Sequence, residues 1–203
     1  MQSSLKTSLR KPLLPLVRWL AAMGVQPNQI TFAGLLASLL AGAAIAFGHL
    51  PLGLIWLIVG LVCDMLDGDL ARLKLEKMGP AGAFLDSCAD RLSEAFVFGG
   101  LLIGKIYHGG GADLSWLLVW LLALSGSFLV SYTRARAEGL GSSCSVGFAE
   151  RPERMLILLL LLIFGFQRSV WFLLGLALLS CWTVYQRAVY VVHQLGATET
   201  QSK

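Results

Sequence analysis

The stretch DMLDGDLAR fills residues 64–72 and GAFLDSCAD fills residues 82–90, nine residues apart, inside a chain that otherwise reads as membrane-spanning. Asp64, Asp67, Asp86 and Asp90 therefore fall in two apolar helices. An aspartate near the centre of a spanning helix costs roughly 2.5–3.5 kcal/mol, so four unpaired ones would cost on the order of 10–14 kcal/mol. Something cationic has to offset them.

The spacing indicates what kind of cation. Asp64 and Asp67 are i,i+3, and Asp86 and Asp90 are i,i+4, so on helices each pair projects from a single face. Two such pairs facing each other make a box of carboxylate oxygens. Hard oxygen donors without nearby histidine or cysteine suit magnesium, manganese or calcium better than zinc, and a box of this kind can hold two divalent ions about 4 Å apart. Gly68 and Gly82 leave backbone open beside the acids, where a phosphate can approach. Arg72, one turn beyond Gly68, supplies a fixed positive charge suited to phosphate.

Composition sets the class. The 203 residues are 56% hydrophobic and only 14% charged, with a mean hydropathy of +0.72, which excludes an ordinary soluble domain. Apolar runs at 29–48, 52–74, 81–104, 114–135, 154–168 and 170–191 predict six spans in one all-α integral membrane domain covering 1–203, with its core at 29–191. The fifth run is short, and its helix is expected to begin at Pro152. Lys6, Arg10, Lys11, Arg18, Arg72, Lys74, Lys77, Arg134, Arg136, Arg151, Arg154, Arg187 and Lys203 fall on one side of this arrangement; the opposite loops hold Lys105 and Arg168. The positive-inside rule then places both termini and the acidic box in the cytosol, with the chain in the cell (inner or plasma) membrane. Residues 1–26 read as an interfacial amphipathic segment, with Leu13, Leu16, Val17 and Leu20 on its apolar face and Arg10, Lys11 and Arg18 off it. Asn28 is a plausible cap for the first span. Cys63, Cys88, Cys144 and Cys181 show no metal-ligand spacing and read as packing residues. No nucleic-acid partner is expected.

A second basic cluster lies in SYTRARAEGLG (131–141) and FAERPERM (148–155). Ser131 and Arg134 share a helix face, as do Arg151 and Arg154, so a bidentate anion pocket is geometrically reasonable. Arg187, inside the sixth apolar run, is costly there unless it meets an anion or acid.

At these residues the chain resembles the CDP-alcohol phosphotransferase family. Its signature is D-x2-D-G-x2-A-R, a spacer of about eight or nine residues, and G-x3-D-x3-D; Asp64, Asp67, Gly68, Ala71, Arg72, Gly82, Asp86 and Asp90 fill every position. The family's Pro-Asn-x-x-Thr segment at its first span is matched by Pro27, Asn28 and Thr31. The resemblance implies attack by an alcohol hydroxyl on a CDP-lipid, with loss of CMP. It implies Asp64, Asp67, Asp86 and Asp90 as ligands of two divalent cations (Mg2+ or Mn2+), Asp90 also as the base, and Gly68, Ala71, Arg72 and Gly82 as CDP-lipid contacts. It implies a homodimer, and the Gly- and Ala-rich first, third and fourth spans permit close helix packing.

The basic stretches look most like the branch that makes phosphatidylinositol phosphate, or its archaeal archaetidyl counterpart, from CDP-diacylglycerol or CDP-archaeol and inositol 1-phosphate. There Ser131, Arg134, Arg154 and Arg187 match the residues that bind the acceptor's phosphate, with Arg134 standing where other members carry Lys. Glycerol 3-phosphate or another phosphorylated alcohol is the alternative acceptor. A cation transporter or structural-metal protein would keep the carboxylates but has no evident need for Gly68, Ala71, Arg72 and Gly82 at fixed spacing.

Overall fold

The computed structural model describes residues 13–73 and 80–201. Lys6, Arg10, Lys11, Lys74, Lys77, Met78 and Lys203, on which part of the topology and loop reading rests, lie outside the described residues. The described residues hold seven α-helices and no strand: α1 (Leu14–Ala22), α2 (Pro27–Ala46), α3 (Leu50–Leu73), α4 (Pro80–His108), α5 (Leu114–Gly139), α6 (Arg151–Phe164) and α7 (Ser169–Gln201). They form two compact units that divide within α4, after Leu101.

The first unit is built on the pairing of α2 with α3. The α2 helix starts one residue before Asn28, so Asn28 is not its cap. Pro27 takes a first-turn position, where its missing N–H costs nothing, and the cap falls to Gln26. The Gln26 amide donates to Gln29 Oε1 at 2.9 Å, and the Gln29 amide donates to the Gln26 carbonyl oxygen at 3.1 Å.

The expected apolar face of α1 is divided. Leu13, Val17 and Leu20 pack onto protein, with Val17 buried among Ile30, Leu66 and Leu70, whereas Leu16 is exposed together with Leu14 and Trp19. The stripe at i, i+4 and i+7 finds a surface already made by α2 and α3, and Leu16 lies on its far edge.

Between α2 and α4 the contact is backbone on backbone. A Cβ on Gly42 would stand 2.4 Å from the Phe96 carbonyl oxygen, and one on Gly100 would stand 2.2 Å from the Gly42 carbonyl oxygen. The small residues of the first and third apolar runs are thus used, at these positions, for packing within the chain.

In the second unit α5 and α7 pack along each other and α6 lies on α7. Asp113 caps α5 by accepting from the Trp116 amide at 2.8 Å, and Trp116 Nε1 donates to Ser169 Oγ at 2.8 Å, joining the starts of α5 and α7. The α6 helix begins at Arg151 with Pro152 in its first turn, runs only 14 residues, and ends at Gly165 with φ of +80°.

Among the described residues, four helical stretches are long and apolar enough to cross a bilayer: Pro27–Ala46, Leu50–Leu73, Leu114–Gly139 and Phe166–Gly196, the last a 3-10 turn running into α7. Two other helices occupy the remaining apolar runs. The α4 helix carries Asp86, Asp90, Arg91, Glu94 and Lys105 along its length, and α6 is short.

Gly100→Val should cost about 1–3 kcal/mol by forcing α2 and α4 apart. Gly99→Ala is the control, because nothing lies within 4 Å of a Cβ built at Gly99. Thermal melting in detergent should show a lower Tm for the first variant and little change for the second; equal Tm values would contradict the close approach.

Candidate active site

The acids converge because α3 and α4 carry them in pairs. Asp64 and Asp67 stand one turn apart near the end of α3, and Asp86 stands in the second turn of α4. Carboxylate oxygens of Asp64, Asp67 and Asp86 all lie within 4.8 Å of one another. Asp67 is the most enclosed, at 4% exposed. Asp90, one turn further along α4, is not in that group; its Oδ2 lies 3.7 Å from Arg91 Nη1.

Three carboxylates at such separations, in helices of this apolarity, repel unless a cation sits among them. All the donors are oxygen, which fits magnesium or manganese and disfavours zinc. Thr31 adds a fixed contact. Its hydroxyl donates to Asp67 Oδ2 at 2.8 Å and lies 3.2 Å from the Pro27 carbonyl oxygen, so the start of α2 orients Asp67.

Beside the acids, Arg72 folds back over Gly68. A Cβ on Gly68 would stand 3.4 Å from Arg72 Nη2, and the same nitrogen donates to Asp69 Oδ1 at 2.5 Å. Asp69 is buried and Arg72 mostly exposed, so a fixed carboxylate holds a solvent-facing guanidinium in place. Ala71 is buried and Gly82 half-buried.

Thr31 and Asp69 are the two contributors to which the sequence reading assigns no role. Asp69 could have been found, since an acid three residues before an arginine on one helix face is a readable pair. The Thr31 to Asp67 contact joins residues 36 apart and has no local signal.

The second unit fixes the other basic residues. Arg154 and Arg187 are each 2% exposed. Arg154 donates to the Ala149 carbonyl at 2.9 Å and from Nη2 to Ser131 Oγ at 3.4 Å. Arg187 donates to the Val146 carbonyl at 2.8 Å and to the Val130 carbonyl at 2.5 Å. Arg187 is therefore hydrogen-bonded to two backbone carbonyls. Two buried guanidiniums thus reach adjacent residues of α5, Val130 and Ser131. Arg134 differs: it is exposed and pairs with Glu138 at 2.9 Å one turn on.

Residues 24–189 match the family model for CDP-alcohol phosphatidyltransferase. The chain belongs to this family. It is 37% identical over 191 residues to the archaetidylinositol phosphate synthase of Pyrococcus horikoshii, covering 94% of this chain and 95% of that one. The crystal structure of Mycobacterium tuberculosis phosphatidylinositol phosphate synthase with CDP-DAG bound superposes with a TM-score of 0.77 at 33% identity, over 87% of this chain and 92% of that one. The same enzyme in complex with manganese and citrate gives 0.76 at 31% identity, over 87% of each chain. As a CDP-alcohol phosphatidyltransferase the protein is an enzyme, and its aspartate cluster has the donor set for divalent cations.

Adding magnesium or manganese to chelator-treated protein should raise its Tm, since a ligand at a hundred times its Kd adds about 2.7 kcal/mol to the folded state. Asp67→Asn should remove most of that shift. A Tm indifferent to both ions in the wild type would contradict metal binding at this cluster.

Proposed function

We propose that the enzyme transfers the phosphatidyl or archaetidyl group of a CDP-lipid to inositol 1-phosphate and releases CMP. The observation that carries this reading is the pair of buried guanidiniums, Arg154 and Arg187, held at neighbouring residues of α5. An acceptor that bears its own phosphate has a use for fixed planar cations, whereas free inositol or serine has little. The archaeal and mycobacterial relatives, which make inositol-phosphate lipids, support the same acceptor.

In this reading the acceptor's phosphate pairs with Arg154 and Arg187, with Ser131 donating to it and Arg134 adding charge. Gly68, Ala71 and Gly82 leave room for the cytidine diphosphate, and Arg72 meets its phosphate from the position that Asp69 gives it. Asp64, Asp67, Asp86 and Asp90 would hold two divalent cations, Mg2+ or Mn2+. When bound, the ions neutralise the pyrophosphate and the departing phosphate. The acceptor hydroxyl forms a bond to the phosphorus that carries the lipid, the bond from that phosphorus to the CMP oxygen breaks, and Asp90 takes the hydroxyl proton.

The chain forms one functional domain with six transmembrane helices, α2 to α7. Four of them have the length and apolarity of spans, and in this reading the ends of α4 and α6 that carry Asp86 and Arg151 face the cytosol. The distribution of Lys and Arg supports cytosolic termini and an active site facing the cytoplasm of a cell in whose plasma membrane the enzyme resides. Leu14, Leu16 and Trp19 are the residues α1 offers to the lipid surface. A homodimer is part of this proposal.

Purified protein given one CDP-lipid, magnesium and a labelled acceptor should consume inositol 1-phosphate and release CMP. Ready use of glycerol 3-phosphate with no use of inositol 1-phosphate would overturn the acceptor while leaving CMP-releasing transfer intact. Asp90→Asn should lower turnover by about 10²- to 10⁴-fold with CDP-lipid binding largely kept, because it removes the proton acceptor at nearly constant volume. Turnover near the wild-type value would sink Asp90 as base. Arg154→Ala should raise the acceptor's KM by about 10- to 100-fold, the worth of one charge-assisted hydrogen bond, with a much smaller effect on CDP-lipid. Equal losses for both substrates would point to a structural role.

A further inference from the structure

Both arginines that serve the acceptor hang on one short irregular segment. Val146 O accepts from Arg187 Nε at 2.8 Å and Ala149 O accepts from Arg154 Nη1 at 2.9 Å, and the chain between them is neither helix nor strand. Those two carbonyls therefore help to set where two guanidinium planes lie, together with the Val130 carbonyl and Ser131 Oγ that the same arginines reach. One side chain of α7 accepts from two of the segment's amides. Thr183 Oγ1 accepts from the Phe148 amide at 3.3 Å and from the Ala149 amide at 3.1 Å, which engages both lone pairs of its hydroxyl. Thr183 has no exposed surface and stands one turn before Arg187 on α7.

Gly147 completes the arrangement. Its φ is +107°, a conformation open to glycine at little cost, and a Cβ there would stand 2.3 Å from Thr183 Cγ2. One turn of α7 thus grips the segment twice, through the Thr183 hydroxyl and through Arg187, while Gly147 lets the backbone lie close against the threonine methyl.

We infer that Thr183, seated against Gly147, is a positioning residue for the phosphorylated acceptor: it sets the Val146 and Ala149 carbonyls that aim Arg187 and Arg154. This rests on the reading of those two arginines as acceptor ligands. Thr183 itself touches no substrate. Without that acceptor the Phe148 and Ala149 amides, the second of them buried, seek another by moving, and the peptides on either side, which carry the Val146 and Ala149 carbonyls, are displaced with them. A displaced arginine fork meets a phosphate less well than a fixed one.

The test uses the full chain in detergent with magnesium, one CDP-lipid and inositol 1-phosphate. Thr183→Val keeps the shape and removes the acceptor oxygen; the KM for inositol 1-phosphate should rise roughly tenfold, with kcat at saturating acceptor and the KM for CDP-lipid within about twofold of wild type. Thr183→Ser keeps the oxygen and should keep the acceptor KM. Should Thr183→Val fail to fold, a second pair gives the answer. Gly147→Ala should raise the acceptor KM, and Gly147→Ala combined with Thr183→Ser, which removes the opposing methyl, should recover part of it. Arg154→Lys and Arg187→Lys run alongside. If they raise the acceptor KM and neither Thr183→Val nor Gly147→Ala does, the positioning role is wrong and the acceptor site stands. If neither lysine variant moves the acceptor KM, the acceptor site itself is misassigned. A rise in both KM values together in Thr183→Val would mark Thr183 as structural only and overturn the inference.

Discussion

Like charge held close in an apolar segment is the constraint on which the first unit depends. Oxygens of Asp64, Asp67 and Asp86 lie within 4.8 Å of one another on two helices rich in apolar residues, with Asp67 buried. In a medium of reduced dielectric such an arrangement is costly without a cation. It persists only if the helices that carry it are held firmly and the charge is answered. The firm hold is visible in the packing. The α2 and α3 helices are paired along their lengths, and α4 comes so close to α2 at Gly42 and Gly100 that no side chain fits between their backbones. Thr31, at the start of α2, reaches Asp67 directly. The same helix therefore packs the unit and orients its most enclosed acid.

The way each unit treats its charges follows from what those charges have to meet. In the first, Arg72 is tied to a fixed carboxylate, Asp69, that leaves it facing outward over Gly68. A guanidinium on an exposed helix face would otherwise sample many rotamers, and a neighbour one turn away reduces that freedom at small cost. In the second unit the buried Arg187 is held by carbonyl oxygens, which orient it without cancelling its charge. An aspartate in their place would satisfy the donors more strongly and would also neutralise the charge of Arg187.

Much of this was readable in the sequence, and the reason is locality. The acids are legible because i,i+3 and i,i+4 spacing fixes a helix face before any tertiary contact is known, and the apolar runs locate all six long or short helices of the core. The start of α6 at Arg151, one residue before the expected Pro152, follows from a backbone angle that proline carries with it into the first turn. The same proline argument, applied at Pro27, would have moved the cap from Asn28 to Gln26; there a preference for asparagine at caps was set against a proline that fixes the first turn, and the proline won. The face of α1 was legible as a period and illegible as a destination. Leu13, Val17 and Leu20 repeat as a stripe whether protein or lipid covers them, and only the position of Leu66 and Leu70 on α3 decides between the two.

What could not be read are contacts that close long stretches of chain through neutral atoms. Sequence shows that Arg187 must be answered, and charge pairing is the first answer that comes to mind because acids are visible as letters. Backbone carbonyls are present at every position and so carry no letter. The residues that present those carbonyls, Val130 and Val146, lie 57 and 41 positions from Arg187. Their usefulness depends on peptide orientation, which in the segment around Gly147 is set by φ of +107° and by a threonine 35 positions from Phe148. A buried cation among carbonyls is thus a tertiary fact at each of its contacts. A cluster of aspartates announces itself in one dimension, but a pair of arginines held by distant carbonyls has to be assembled in three.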